Sequence, residues 1–316
     1  MIAASRTAPF RRLQARIGSA TYRLNTIFVG LEGVAAGTAV SGSLAVSWTK
    51  PGPEKARDVA NQARIFACMG ALTLAFDIFD VYLRDLTREG WLGFSNQTRN
   101  IATKAETRSS EDGGDYSLAE RAETICAELE LLDPPLVSAL DLMAKWRNVV
   151  VHSDNRPPRV SPGTQGVLQG ASQFYFDKYA HFRIDLALAN FKNRKIPVPK
   201  EVTSLTAMAV NLCRSIDEAA IRRIASTSDG AESAAEVMIR DYFTGSDERA
   251  RSPWSEFAEM WQGDAARRER QLLQLLASLG FSDGKGAVSA PLRPEFIRGL
   301  ATMPKDSFAE KFEIAR

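Results

Sequence analysis

Histidine is nearly missing from this chain. Only His152 and His181 occur in 316 residues. Cysteine is scarce too: Cys68, Cys126 and Cys213 stand far apart, with no C-x-x-C spacing. So few soft ligands leave a zinc site built from histidine and cysteine almost nothing to draw on. An odd cysteine count without a pairing pattern points to buried thiols in a reducing compartment, so a cytoplasmic location is expected. No G-x-S-x-G elbow and no H-E-x-x-H helix is present. Gly280-Phe-Ser-Asp-Gly284-Lys285-Gly286 is one residue short of a phosphate-binding loop. It also lacks the Ser or Thr after lysine and follows a helical pattern, so it reads as a turn. No cofactor and no metal ligand are expected.

Net charge is nearly absent as well. The 40 Lys and Arg face 38 Asp and Glu, leaving +2. Binding to nucleic acid would therefore need a local basic patch rather than a global field. Apolar character near the N-terminus is weak: the stretch of residues 27–48 is broken by Glu32 and by frequent glycine, which makes it a poor membrane span. It reads as a packed helix or strand behind a basic, partly ordered arm, and no stable membrane association is expected.

What the chain does have is helical periodicity. Residues 1–50 read as an irregular basic and apolar extension, closed by Pro51-Gly52-Pro53. From about 54 to 88 an apolar seam runs Ile65, Met69, Leu72, Phe76, Phe79, Leu83, Leu86, in steps of four and three. Ser117-Leu-Ala-Glu120 is a capping-box pattern opening a helix with Leu118, Ala122, Ile125, Leu129 and Leu132. Asp133-Pro134 starts the next, with Asp as N-cap and Pro in the first turn; its seam is Leu136, Leu140, Met143. A fourth helix over about 201–225 presents Val202, Leu205, Ala209, Leu212, Ile216, Ala220 and Ile224.

Four such helices predict a mainly α fold. It is a four-helix bundle over residues 51–228, with residues 1–50 as an N-terminal extension and 229–316 as a C-terminal helical one. The best tail element spans about 252–279, with Gly280 as C-cap. Residues 174–195 have no clear period and leave open a helix or a small β-hairpin insert.

The segment with chemistry is Trp146-Arg-Asn-Val-Val-Val-His-Ser-Asp154. After Leu136, Leu140 and Met143 the next inward position is Arg147. A guanidinium there is costly unless an anion meets it. Asp77 and Asp80 are conceivable partners, although acids on a helix are usually solvated. Trp146 reads as a packing residue. Asn148 and His152, four apart, share a face. Arg147 and His152 diverge by about 140° on an ideal helix. They converge only if the helix end unwinds, which the following Ser-Asp-Asn-Arg-Pro-Pro run favours, or if a second copy of the chain supplies the complement.

Arg147-Asn148-Val-Val-Val-His152 resembles the R-x4–6-H signature of HEPN-domain ribonucleases, with the polar residue that usually follows the arginine. The resemblance covers about residues 54–228. It implies a helical bundle that cleaves RNA without metal, as a homodimer, with Arg147, Asn148 and His152 catalytic. It also implies a role as a toxin or antiviral defence effector, with an antitoxin or activator protein as partner. Some HEPN toxins carry a modifiable tyrosine two residues after the histidine. Here that position is Asp154, so control by that route is not expected.

The chemistry suits those residue types. RNA brings its own nucleophile, the 2′-hydroxyl. Histidine transfers protons near neutral pH, and arginine binds two phosphate oxygens at once. Residues 174–195 interleave Phe174, Tyr175, Phe176, Tyr179 and Phe182 with Lys178, Arg183, Lys192, Arg194 and Lys195. Those cations are the candidate RNA-binding set, against the plainer reading of core aromatics with a solvated charged face. Arg11, Arg12 and Arg16 of the N-terminal arm are judged the same way. Two other functions stay in view: a non-catalytic helical module that binds RNA or protein, and a membrane-tethered sensor anchored through residues 27–48.

Overall fold

The computed structural model describes residues 2–40, 42, 47–107, 115–151, 159–245, 252–283 and 286–315. The protein is mainly α. In chain order the elements are β1 (Ala3–Ala4), α1 (Ala8–Ala35), α2 (Pro53–Arg88), a 3-10 turn (Gly90–Leu92), α3 (Asn96–Ala102), α4 (Leu118–Glu128) and α5 (Pro134–Val151). Then come α6 (Pro162–Gly170), α7 (Ser172–Lys178), α8 (Ile184–Lys192), α9 (Pro199–Ala225) and α10 (Ser228–Thr244). The chain closes with α11 (Pro253–Met260), α12 (Ala265–Leu279), β2 (Phe281–Ser282), α13 (Pro294–Thr302) and α14 (Lys305–Lys311).

Two compact units form. One comprises Met1–Arg11, Asp85–Asn100 and Arg214–Arg316, the other Arg12–Arg84 and Ile101–Cys213. The divisions fall inside α1, α2, α3 and α9.

In the second unit, α2, α4, α5, α8 and α9 are tied to one another by specific contacts. The Tyr82 hydroxyl of α2 donates to the Cys213 carbonyl of α9 at 2.8 Å. Asp80 of α2 pairs with Arg121 of α4, which is almost wholly buried. The edge of Trp146 on α5 meets Phe191 on α8, with ring centroids 6.0 Å apart. Glu201 of α9 accepts from Asn190 of α8 at 2.7 Å. Both bonds of the Ser117–Glu120 capping box are present, and Asp133 accepts from the Leu136 N–H at 3.3 Å. Cys68 and Cys126 are buried, and burial raises their thiols to about 11 and about 12.

The sequence expectation needs correction in five places. The helix opened by Ser117 ends at Glu128, so Leu132, expected on its seam, lies beyond it and is exposed. Residues 1–50 are not irregular: α1 takes up 8–35, including the basic stretch and the start of the apolar one, and the helix is over before Gly37 at φ +70°. Residues 174–195 form α7 and α8, not a hairpin. The tail element breaks in two, because Gly263 turns at φ +90° and Asp264 then caps α12. The α2 seam holds only in its second half, where Leu72, Phe79, Leu83 and Leu86 are buried while Ile65 is exposed. A seam that repeats every seven residues drifts about 20° per repeat on a 3.6-residue helix, so its upper end rotates off the core. Ala56 and Ala60 are buried there instead. Among the described residues α2 is the one helix long and apolar enough to cross a membrane, and 39% of its most apolar stretch is buried in the protein.

In the first unit, β1 pairs antiparallel with β2. Gly280 is the C-cap of α12 at φ +116°, and a Cβ there would lie 2.2 Å from the Arg6 carbonyl oxygen. Both the backbone angle and the close approach require glycine. Phe257, Trp261, Phe308 and Phe312 pack into one aromatic cluster.

Thr7 opens α1 with its backbone N–H and its hydroxyl both donated to the buried Asp217. Burial raises the Asp217 carboxyl from 3.8 to about 7, against the opposing pull of those two hydrogen bonds. A raised carboxyl pKa means the folded state holds its proton where the unfolded chain has released it. Stability should therefore fall as pH rises from about 4 to about 7 and level off above. A neutral carboxamide in place of the Asp217 carboxyl would accept from the Thr7 N–H and donate to its hydroxyl. Urea unfolding of Asp217→Asn at about pH 5 and pH 8 should accordingly show a flattened pH dependence, with a gain on the order of 2 kcal/mol at the higher pH.

Candidate functional site

The end of α5 lies in the second unit. Leu136, Ala139, Leu140, Leu142, Met143, Ala144 and Trp146 are buried along it. Trp146 is fully enclosed, and its indole N–H donates to the Lys195 carbonyl at 2.9 Å. It is a packing residue, as its position suggested.

Arg147 sits on the same side of α5 as Leu136, Leu140 and Met143, one turn beyond the core. There it is half-buried. Its guanidinium lies over the Phe76 ring of α2, 4.9 Å from the centroid. Its Nε is buried and has no acceptor among the described residues. Nη1 donates to the Asn148 side-chain oxygen at 3.2 Å. Asn148 is exposed. No carboxylate pairs with Arg147 among the described residues. Asp80 is taken by Arg121, Arg84 and Lys104, and Asp77 is solvent-exposed. Burial alone would raise the Asp80 carboxyl. The hydrogen bond and charge of Arg121, with Lys104 and Arg84, hold it below its usual range.

His152 and Asp154 lie outside the described residues. The structure thus brings together Arg147 and Asn148, on a Phe76 base.

The candidate RNA-binding cations fall at the two ends of α8. Lys178 and Arg183 are exposed beside its N-terminus; Lys192, Arg194 and Lys195 are exposed at its C-terminus. The Trp146–Lys195 hydrogen bond fastens the second group to the turn of α5 that carries Arg147. Tyr175, Tyr179 and Phe182 are core, whereas Phe174 and Phe176 are exposed. The plainer reading therefore holds for three of the five aromatics. In the N-terminal arm, Arg11 is held by the Ser278 carbonyl, while Arg12 and Arg16 are exposed.

A cavity of about 650 Å³ opens on the opposite face of α5, lined by Cys126, Asp133, Asp141, Lys145, Ser161 and Thr164 among others. It takes no part in the arrangement around Arg147. Phe76 was legible only as one more seam residue, and nothing in its spacing marked it as the support for an arginine. His181 does not match the motif, because positions 174–176, where the arginine would have to stand, are Phe, Tyr and Phe. Comparison with family models, with curated proteins and with solved structures finds no match to this chain.

Proposed function

We propose that this protein is a HEPN-type endoribonuclease that cleaves RNA without metal, through the end of α5. The observation that carries the reading is the state of Arg147. Its guanidinium rests on the Phe76 ring, one of its donors is held by Asn148, and no protein carboxylate neutralises it among the described residues. A planar cation held this way suits a phosphate that arrives from outside.

In the proposed step, His152 takes the proton of the RNA 2′-hydroxyl, and the freed oxygen attacks the adjacent phosphorus. Arg147 neutralises the charge on the pentacoordinate phosphate. The bond to the 5′-oxygen breaks, and that oxygen takes a proton from an imidazolium. One histidine cannot be base and acid in the same step, so the acid is the second copy's His152 in a homodimer. The products are a 2′,3′-cyclic phosphate and a 5′-hydroxyl. A stripe on α2 supports the second copy. Val59 and Phe66 are exposed, Met69 and Phe76 half-buried, and all four lie on one helix face that leads to Arg147. Action as a toxin or antiviral effector, with an antitoxin or activator, belongs to the same proposal and rests on the resemblance alone.

The alternative is a non-catalytic helical module that binds RNA or protein. The stacking of Arg147 on Phe76 favours it to the extent that such a contact is structural. The deciding experiment incubates purified protein with mixed cellular RNA in EDTA. Cleavage is expected, with cyclic-phosphate ends and with DNA left whole for want of a 2′-hydroxyl. Inert protein, even with cell extract added, would leave the binding module as the reading.

A further inference from the structure

We infer that the exposed Phe176–His181 ring pair is a base-stacking subsite, and that the substrate class is therefore single-stranded RNA. The inference rests on the ribonuclease reading of α5 and adds to it a second place of contact. α7 ends at Lys178, and the chain then turns through Ala180 at φ +51° and His181 at φ +62°. Single left-handed residues follow other helices, at Lys104, Glu130 and Glu313. Two in succession occur here alone among the described residues. Each such residue with a side chain costs stability that glycine would not. The turn is closed by the His181 N–H donating to the Phe176 carbonyl at 2.8 Å, and it brings the two rings to 4.6 Å between centroids.

Neither ring is needed by the core. Tyr175, Tyr179 and Phe182 fill it from below, and the Tyr175 hydroxyl is anchored on the Pro135 carbonyl at 2.6 Å. The pair is thus an exposed aromatic surface on a rigid base, with Lys178 and Arg183 beside it. At the far end of α8, roughly 13 Å along its axis, Arg194 occupies another left-handed position, at φ +55°. There the Trp146 hydrogen bond joins the chain to the Arg147 turn. Aromatic faces with cations at both ends of a short track match a single strand, whose bases expose their π-faces while its phosphates follow the charge. In an A-form duplex those faces are stacked on one another and closed to the protein. The favoured site is an unpaired loop or end.

The test uses His152→Ala protein, so that RNA is not consumed, and fluorescence anisotropy with a short labelled single-stranded oligoribonucleotide and its duplex. Phe176→Ala and His181→Gly should each weaken single-strand binding about fivefold or more, and His181→Tyr should restore it. His181→Gly should at the same time raise the melting temperature, which a merely structural histidine would not do. Unchanged affinity in Phe176→Ala, or duplex bound as tightly as single strand, would overturn the subsite. Cleavage of RNA by wild type, together with unchanged affinity in these variants, sinks the subsite and leaves the ribonuclease reading. Phe176-dependent binding by a protein that never cleaves does the reverse. No binding of RNA at all, with a protein partner captured through this face instead, ends both.

Discussion

Arg147→Ala and His152→Ala should each reduce RNA cleavage by about a hundredfold or more while leaving the protein folded. The argument for Arg147 is electrostatic. A donor aimed at charge that develops in the transition state is worth about 3–4 kcal/mol in an enclosed site. The argument for His152 is proton transfer, for which positioned side chains supply about 10²–10⁴-fold. Folding should suffer little in either variant. Arg147 forfeits its contact with Phe76, worth about 1 kcal/mol at a half-exposed position. The substitution also removes a buried Nε that has no acceptor among the described residues, which partly offsets that loss. Arg147→Lys should fall between, because it keeps the charge and loses the planar pair of donors. Single-turnover cleavage and urea unfolding on the same samples decide the matter. Wild-type rates in either variant would remove the site. An Arg147→Ala protein destabilised by more than about 2 kcal/mol would mean that the arginine holds the bundle together instead.

The position of Arg147 shows how far the chain could be read in advance. Its side of α5 follows from Leu136, Leu140 and Met143, because helical spacing is fixed by backbone geometry. How deeply it is buried does not follow, since that depends on where the neighbouring helix provides a ring. Phe76 lies 71 positions earlier in the sequence and takes part only through packing. Capping was legible for a similar local reason: Ser117, Glu120 and Asp133 act within one turn of themselves. The seam of α2 misled at Ile65 because a seven-residue repeat and a 3.6-residue helix part company over three turns or more. Residues 174–195 were ambiguous because Phe182, Ile184, Leu186 and Leu188 alternate as a strand would. In the structure Phe182 precedes α8, Ile184 and Leu188 are its buried face, and Leu186 points to solvent. The Phe176–His181 pair could not have been read at all, since it depends on two left-handed residues at a turn where neither is glycine.

The buried charge of the second unit was likewise hidden, and its removal should have the largest effect on folding. Arg121 is 1% exposed. It donates to Asp80 and, at 3.0 Å, to the Ala102 carbonyl. Asp80 also receives Arg84 at 3.0 Å and Lys104 at 3.4 Å. Asp80→Ala leaves the Arg121 guanidinium in a dry place without its carboxylate, which should cost about 3–5 kcal/mol in urea unfolding; Arg121→Ala should cost less, because Arg84 and Lys104 still face the Asp80 carboxylate. The double variant Asp80→Leu, Arg121→Met should recover most of that loss, because it removes both charges and refills the space with apolar atoms. Acid acts on the same pair. The Asp80 carboxyl is held below its ordinary value of 3.8, so its contribution to stability is present above that pH. It is lost as pH falls through the lower folded value. Wild type should therefore lose stability below about pH 4, and the double variant should lose less over the same interval. An Asp80→Ala protein within about 1 kcal/mol of wild type would show that water or a neighbouring acid replaces the carboxylate, and that the bundle is held by its apolar core alone.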